Sequence, residues 1–170
     1  MHDYLDDYKT ILNIIMTVPY AVIATTGKNG NPWNTPVHVA IDDQFNFYWA
    51  STKNSVHSLN IQDNTNVFIV VFDSSDSLYE GKGLYIQGIA REITDNDELE
   101  FSKECMRKTI SPEKLVRSSK PFISKRKMFI AEPTQLWIND AVFTEEGRLV
   151  EDFRRQIDIK KLVDYKKQNP

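Results

Sequence analysis

Apolar residues along the chain change their period near residue 20. Before that point Tyr4, Leu5, Tyr8, Ile11, Leu12, Ile15 and Met16 recur at helical spacing, which gives a helix with one apolar stripe to dock. Pro19 stops it. From Tyr20 onward, β-branched and aromatic residues gather into short runs between turn residues, the pattern of strands in an antiparallel sheet. The runs cover 20–26, 35–41, 45–51, 67–72, 84–93 and 128–138.

The connections carry their own signals. Gly27-Lys28-Asn29-Gly30 supplies residues that tolerate positive φ between the first two strands, and Asp42-Asp43-Gln44 is short and polar between the second and third. These predict a three-stranded meander. Asn54 or Ser55 caps a short helix through Val56, Leu59 and Ile61. Another helix begins at 94–97, with Leu99, Met106 and Ile110 on one face, and Ser111-Pro112-Glu113 restarts a helical turn. From Glu151 onward, acids alternate with Arg154, Arg155, Lys160, Lys161, Lys166 and Lys167, which reads as a solvated helix and a frayed tail. Six strands and a few helices without βα alternation predict an α+β fold on an antiparallel barrel, with no internal repeat.

At 170 residues, one such domain accounts for the whole chain. A formal charge of −3 argues against a broad grip on nucleic acid or anionic membrane, so any anion must be held locally. Cys105 is the single cysteine, and Asp3, Asp6, Asp7 and Lys9 occupy the start of the chain where a secretory signal needs an apolar run; the expectation is a cytoplasmic protein. No stretch approaches the ~20 apolar residues of a membrane span.

Much familiar chemistry is missing. His2, His38 and His57 are scattered and give no zinc-ligand spacing, and there is neither a Gly-x-Ser-x-Gly elbow nor a Walker loop. Gly81-Lys82-Gly83 precedes a strand and reads as its entry, not as a dinucleotide motif. Cys105, beside Met106 on a helix, reads as a small apolar residue. A chain without its own acid, base, metal or nucleophile set can still support chemistry that a cofactor carries.

The stretch from Trp33 to Asn60 points to such a cofactor. Pro36 cannot donate to a ladder, so it marks a strand edge or bulge where a flat ligand can meet the backbone of Thr35 and Val37. Ser51, Lys53, Ser55 and His57 lie where a strand passes into a helix N-terminus; hydroxyls, a cation and free N–H groups there suit a phosphate. Taken singly, each has a plainer reading. Pro36 is then an edge-strand proline, Trp49 and Trp137 are core or interface aromatics, Ser55 is a cap and His57 a surface histidine.

Taken in order, Asn34-Thr35-Pro36-Val37-His38-Val39, Phe47-Tyr48-Trp49-Ala50-Ser51, Ser55-Val56-His57-Ser58-Leu59-Asn60, Gly88-Ile89-Ala90 and Trp137 resemble the pyridoxamine-phosphate-oxidase-like flavoproteins. The resemblance implies a split β-barrel that binds FMN at a homodimer interface. Thr35, Pro36 and Val37 would line the isoalloxazine, and Trp49, Ala50, Ser51, Ser55 and His57 would surround the ribityl phosphate. Trp137 would reach the flavin of the other subunit. Two departures stand out. Asn34 and His57 occupy positions that are arginine and lysine in the oxidases, and Ile138-Asn139-Asp140-Ala141 replaces their Arg-x-His substrate motif. Pyridoxamine phosphate is therefore not the expected substrate. The implied function is an FMN-dependent oxidoreductase acting on another small molecule. The rivals are a non-catalytic flavin binder and the same fold holding haem or a deazaflavin.

Overall fold

The computed structural model describes residues 4–73, 82–110 and 126–169. Helix α1 (Tyr4–Thr17) ends ahead of Pro19 and buries Asp7, Tyr8, Ile11 and Ile14, while Tyr4, Leu5 and Met16 stay exposed. Eight strands follow: β1 (Tyr20–Thr26), β2 (Pro32–His38), β3 (Ala40–Ile41), β4 (Phe47–Ser51), β5 (Asn66–Phe72), β6 (Gly83–Glu92), β7 (Lys127–Phe143) and β8 (Leu149–Ile157). Three further helices, α2 (Val56–Asp63), α3 (Asn96–Lys108) and α4 (Ile159–Gln168), complete the described chain. None of the helices is long and apolar enough to cross a membrane.

The strands form one antiparallel sheet in the order β2-β1-β5-β6-β7-β4-β3, with β8 added on β7. Only Val39 separates β2 from β3, yet these two strands stand at opposite ends of that path. The sheet must curl to bring its ends together, which gives the α+β split barrel. The Val39 N–H donates to the Pro19 carbonyl at 3.0 Å and pins the crossing. Its interior is filled by Ile23, Val67, Ile69, Val71, Leu84, Ile86, Leu136 and Ile138 with Phe47, Trp49 and Phe129, and this core continues into α1 and α4, where Tyr8 and Tyr165 meet at 5.4 Å. A second cluster, Tyr48, Ile93, Met106, Met128 and Ile130, includes Met106 of α3.

Three expectations need correction. The run over 35–41 is two strands, because the chain must serve both ends of the sheet; this breaks the expected three-stranded meander and, with β8, makes eight described strands of the expected six. Strand β4 starts at Phe47, not at Phe45, because Phe45 adopts a positive φ of 63° in the turn while its ring is buried. The Asp42 carboxylate holds that turn by accepting from the N–H groups of Gln44 (2.8 Å) and Asn46 (2.9 Å), the Asn46 amide (3.0 Å) and the Tyr48 hydroxyl (3.0 Å). Burial and Asp42 together raise the pKa of Tyr48. The region after Glu151 begins as strand, not helix: β8 pairs with β7 from Leu136 to Phe143, and α4 follows with buried Leu162 and Val163. The turn expected at Ser111-Pro112-Glu113 lies outside the described residues.

Strand β7 is the spine, pairing with β6, with β4 at its start and with β8 at its end. Its ladder with β6 shifts register at Gln87/Gly88, where Pro133 faces Gly88 and needs no donor. A Cβ on Gly88 would sit 2.8 Å from the Glu132 carbonyl oxygen, backbone that must move to make room. Gly88→Ala is therefore expected to cost about 2 kcal/mol, read from the urea midpoint. An unchanged midpoint would show that the bulge yields freely.

Candidate functional site

Strand β3 pairs with β4 only at Phe47 and Tyr48, so the same edge of β4 has no strand partner from Trp49 to Ser51 among the described residues. Strand β2 ends the pairing path, so its outer edge has no strand partner among the described residues. The two strands lie beside each other, and α2 packs over β1 and β2, held by a 3.0 Å bond from the Asn60 amide to Thr25 Oγ1. A seam results. Thr35, Pro36 and Val37 stand on one side, Trp49, Ala50 and Ser51 on the other, and Lys53, Ser55 and His57 at the mouth where β4 passes into α2.

Ser55 is the hub of the mouth. Its Oγ lies 3.0 Å from Ser51 Oγ, 2.8 Å from Ser58 Oγ and 3.2 Å from His57 Nε2, and it donates to the Thr52 carbonyl at 3.0 Å. One hydroxyl has one proton and two lone pairs, so it cannot serve all four neighbours at once. The cluster therefore keeps donor capacity for an incoming acceptor. Ser55 is the N-cap residue of α2, but its side chain makes no cap bond. The first-turn N–H groups, which have no intrahelical partner, are left to an anion at the mouth. Lys53 is exposed beside them and makes no ion pair among the described residues.

His57 is 5% exposed, not a surface histidine, and burial lowers its pKa. It is neutral near pH 7 in the free protein. A depressed histidine pKa means that the folded chain binds fewer protons than the unfolded one. Its stabilising contribution is present in full above the ordinary value of 6.5 and is lost as pH falls below it.

The remaining candidates separate. Thr35 and Val37 share the interior face with Ile23 and Ala21, whereas Pro36 is exposed on the outer face opposite Val22. There Pro36 lines a shallow groove with Tyr20, Val70 and Phe72. The Trp49 indole is fully buried, stacked on Phe129 at 5.6 Å, and its Nε1 has no hydrogen-bond partner; only its backbone belongs to the seam. Trp137 stacks on Phe68 at 6.3 Å on the outer face. It lies six positions beyond Ala131, where β4 stops pairing, a distance along β7 of about 20 Å. One chain does not bring it to the cluster.

Two features were missed in the sequence. Fully buried Ser58 joins the cluster, and its spacing of three from Ser55 on a helix was the available signal. The second is an ion network. Arg155 binds Asp7 through Nε at 2.8 Å and Nη2 at 3.2 Å, and binds Asp140 at 2.6 Å; Lys82 reaches Asp140 at 3.3 Å. Asn139 accepts from the Gly83 N–H. Asn139 and Asp140, which stand where the oxidases place their substrate motif, thus serve the framework. Cys105 is half-buried, and burial raises its thiol pKa. Among the described residues no group of three His, Cys, Asp or Glu side chains could hold a metal. The seam offers hydrogen-bond donors for an anion and two strand edges for a flat body.

Comparison with known proteins agrees with the split-barrel fold. No curated protein matches the chain. Among solved structures it resembles a pyridoxamine 5'-phosphate oxidase-related, FMN-binding protein from Nostoc punctiforme (TM-score 0.59, 13% identity, 93% of this chain and 98% of that one). A haem storage protein from Vibrio cholerae is also similar (TM-score 0.56, 15% identity, 75% and 91%). So is a haem-binding protein from Mycobacterium smegmatis (TM-score 0.67, 13% identity, 96% of this chain but only 61% of that one). At these identities the likeness concerns the fold. The sequence itself matches the pyridoxamine 5'-phosphate oxidase family over residues 8–140, most of its length, and the chain belongs to that family.

Proposed function

We propose that the chain binds FMN in the seam and acts as an oxidoreductase on a small molecule other than pyridoxamine phosphate. The observation that carries this is the hydroxyl–imidazole cluster of Ser51, Ser55, His57 and Ser58 at the uncapped start of α2, directly at the end of two unpaired strand edges. The cluster, with Lys53, would hold the phosphate, and Thr35, Pro36 and Val37 would border the ring. A bound flavin would supply hydride or electron exchange, while the protein supplies position and electrostatics. In this reading the working unit is a homodimer, since Trp137 can meet the ring only from a second copy. Phe68, Phe72 and Ile89 are exposed on the sheet face that carries it. The lone Cys105 fits a reducing, cytoplasmic setting.

Haem-binding relatives supply the second reading. Haem iron takes an axial ligand such as histidine, but His57 Nε2 is engaged by Ser55, which favours the flavin. The absorption spectrum of the protein as purified decides: flavin peaks support the proposal, and a Soret band overturns it. Reduction of the bound flavin by NADH or NADPH separates an enzyme from a binder.

His57 gives a sharper test. A bound phosphate favours imidazolium, so FMN binding should take up a proton and weaken as pH rises from the lowered pKa of the free protein through the raised pKa of the complex. His57→Ala should lose about 1–2 kcal/mol, roughly 5- to 30-fold in affinity. FMN titrations that give equal affinities for the variant and wild type at pH 6 would remove His57 from the phosphate site.

A further inference from the structure

Strand β8 is an open edge. It pairs with β7 on one side and with no strand on the other among the described residues. Edge strands are ordinarily protected by brevity, proline, bulges or charged side chains. At nine residues without proline, β8 is neither short nor blocked by proline; a bulge at Val150 touches only its beginning, and the charges of Glu151, Asp152, Arg154 and Arg155 are not of one sign. Its charges are instead antisymmetric about Phe153.

We propose that two copies of this chain pair antiparallel along β8, about a two-fold axis at Phe153. In that register Phe153 faces its own copy, Asp152 faces Arg154 of the second copy, and Glu151 faces Arg155. Directly opposed residues share a face in an antiparallel ladder, so both acid–base matches are sterically consistent. An isologous contact repeats each match twice. Glu151 is exposed without an ion pair among the described residues, and Arg155 Nη1 is not used by the bonds to Asp7 and Asp140. On the other face Arg154 lies 4.4 Å over the Tyr85 ring and 2.8 Å from Asp152, so a second copy would close a four-charge ring there. Leu149 and Val150, 60% and 62% exposed, lie at and beyond the bulge that ends the matched segment. The contact uses the strand edge and not the face of Trp137, so it stands whether or not the chain binds flavin.

Disulfide trapping tests it in the full chain with Cys105→Ser. In this register Cα atoms at position 153 approach to about 5 Å, within disulfide reach. Phe153→Cys should therefore form a covalent dimer on mild oxidation. Glu151→Cys should not, because its own copy lies four positions away, about 13 Å. Adding Asp152→Arg to the Phe153→Cys chain should cut cross-linking at least tenfold, and exchanging the charges with Asp152→Arg and Arg154→Asp should restore it. Absent cross-linking at 153, equal cross-linking at 151, or indifference to Asp152→Arg overturns the pairing. Should Phe153→Cys fail to fold, Asp152→Cys mixed with Arg154→Cys carries the same test. Cross-linking in a chain that binds no FMN supports the contact and counts only against the flavin reading.

Discussion

Arg155→Ala is expected to lower the unfolding free energy by about 3 kcal/mol at pH 7. Removing one member of a buried ion pair costs about 3–5 kcal/mol because a charge is left without compensation. The low end applies here, since the Arg155 side chain keeps 16% exposure and Asp140 retains Lys82. Asp7, at 9% exposure, has more to lose. The loss should shrink on acidification. Burial alone would raise the Asp140 carboxyl, but the Ala141 N–H, Arg155 and Lys82 together hold it below its ordinary value. In the wild type that contribution is complete above the ordinary carboxylate range and disappears as pH falls through the depressed pKa. Without Arg155 the Asp140 carboxyl loses one of the groups that hold it down and protonates more readily, so mild acid relieves the variant before it harms the wild type. Urea unfolding at pH 7 and pH 4.5 measures both. A loss below 1 kcal/mol at pH 7 would make the network ornamental.

Trp49→Ala is expected to cost more, about 4 kcal/mol, by removing the fully buried indole and its stacking on Phe129. For a chain of this size that lowers the melting midpoint by roughly 8–16 °C. Trp49→Phe should cost much less, because it keeps an aromatic ring in the stack and deletes an N–H that has no partner. It should also leave FMN affinity unchanged, since only the backbone of Trp49 lies on the seam. A tenfold loss of affinity in Trp49→Phe, with the fold intact by circular dichroism, would show that the indole takes part in binding.

The strands were legible where side-chain alternation and turn chemistry agree. The β1–β2 hairpin has Gly30 at φ 75° in the expected place, and α3 starts on the Asp95 cap, which accepts from the Glu98 N–H at 2.9 Å. Legibility failed where a distant partner decides the conformation. Nothing local to Thr35–Ile41 says that His38 and Ala40 belong to opposite ends of the sheet. The charged alternation of β8 fits a helix surface until β7 is known to run on to Phe143. The clustering of Ser51, Ser55 and His57 was readable because they lie within one strand-to-helix passage. Their burial was not readable, and it turns His57 from a surface histidine into a buried imidazole whose pKa is lowered. Trp49 shows the same limit, for a strand's two faces exchange with one step of register and only the assembled sheet fixes which is inside.

The position of β7 in the chain sets the order in which the protein can be built. Strand β4 ends at Ser51, and its long-range partner begins at Lys127. At ribosomal speeds of about 5–20 residues per second, β4 waits roughly 4–15 s for its partner to be synthesised. In that interval β1, β2, β5 and β6 can assemble, but β6 presents a long open edge and β4 has only the short β3 beside it. Fragments that stop before Lys127 should therefore be caught by chaperones or proteases, while release of β7 closes both edges in one cooperative step.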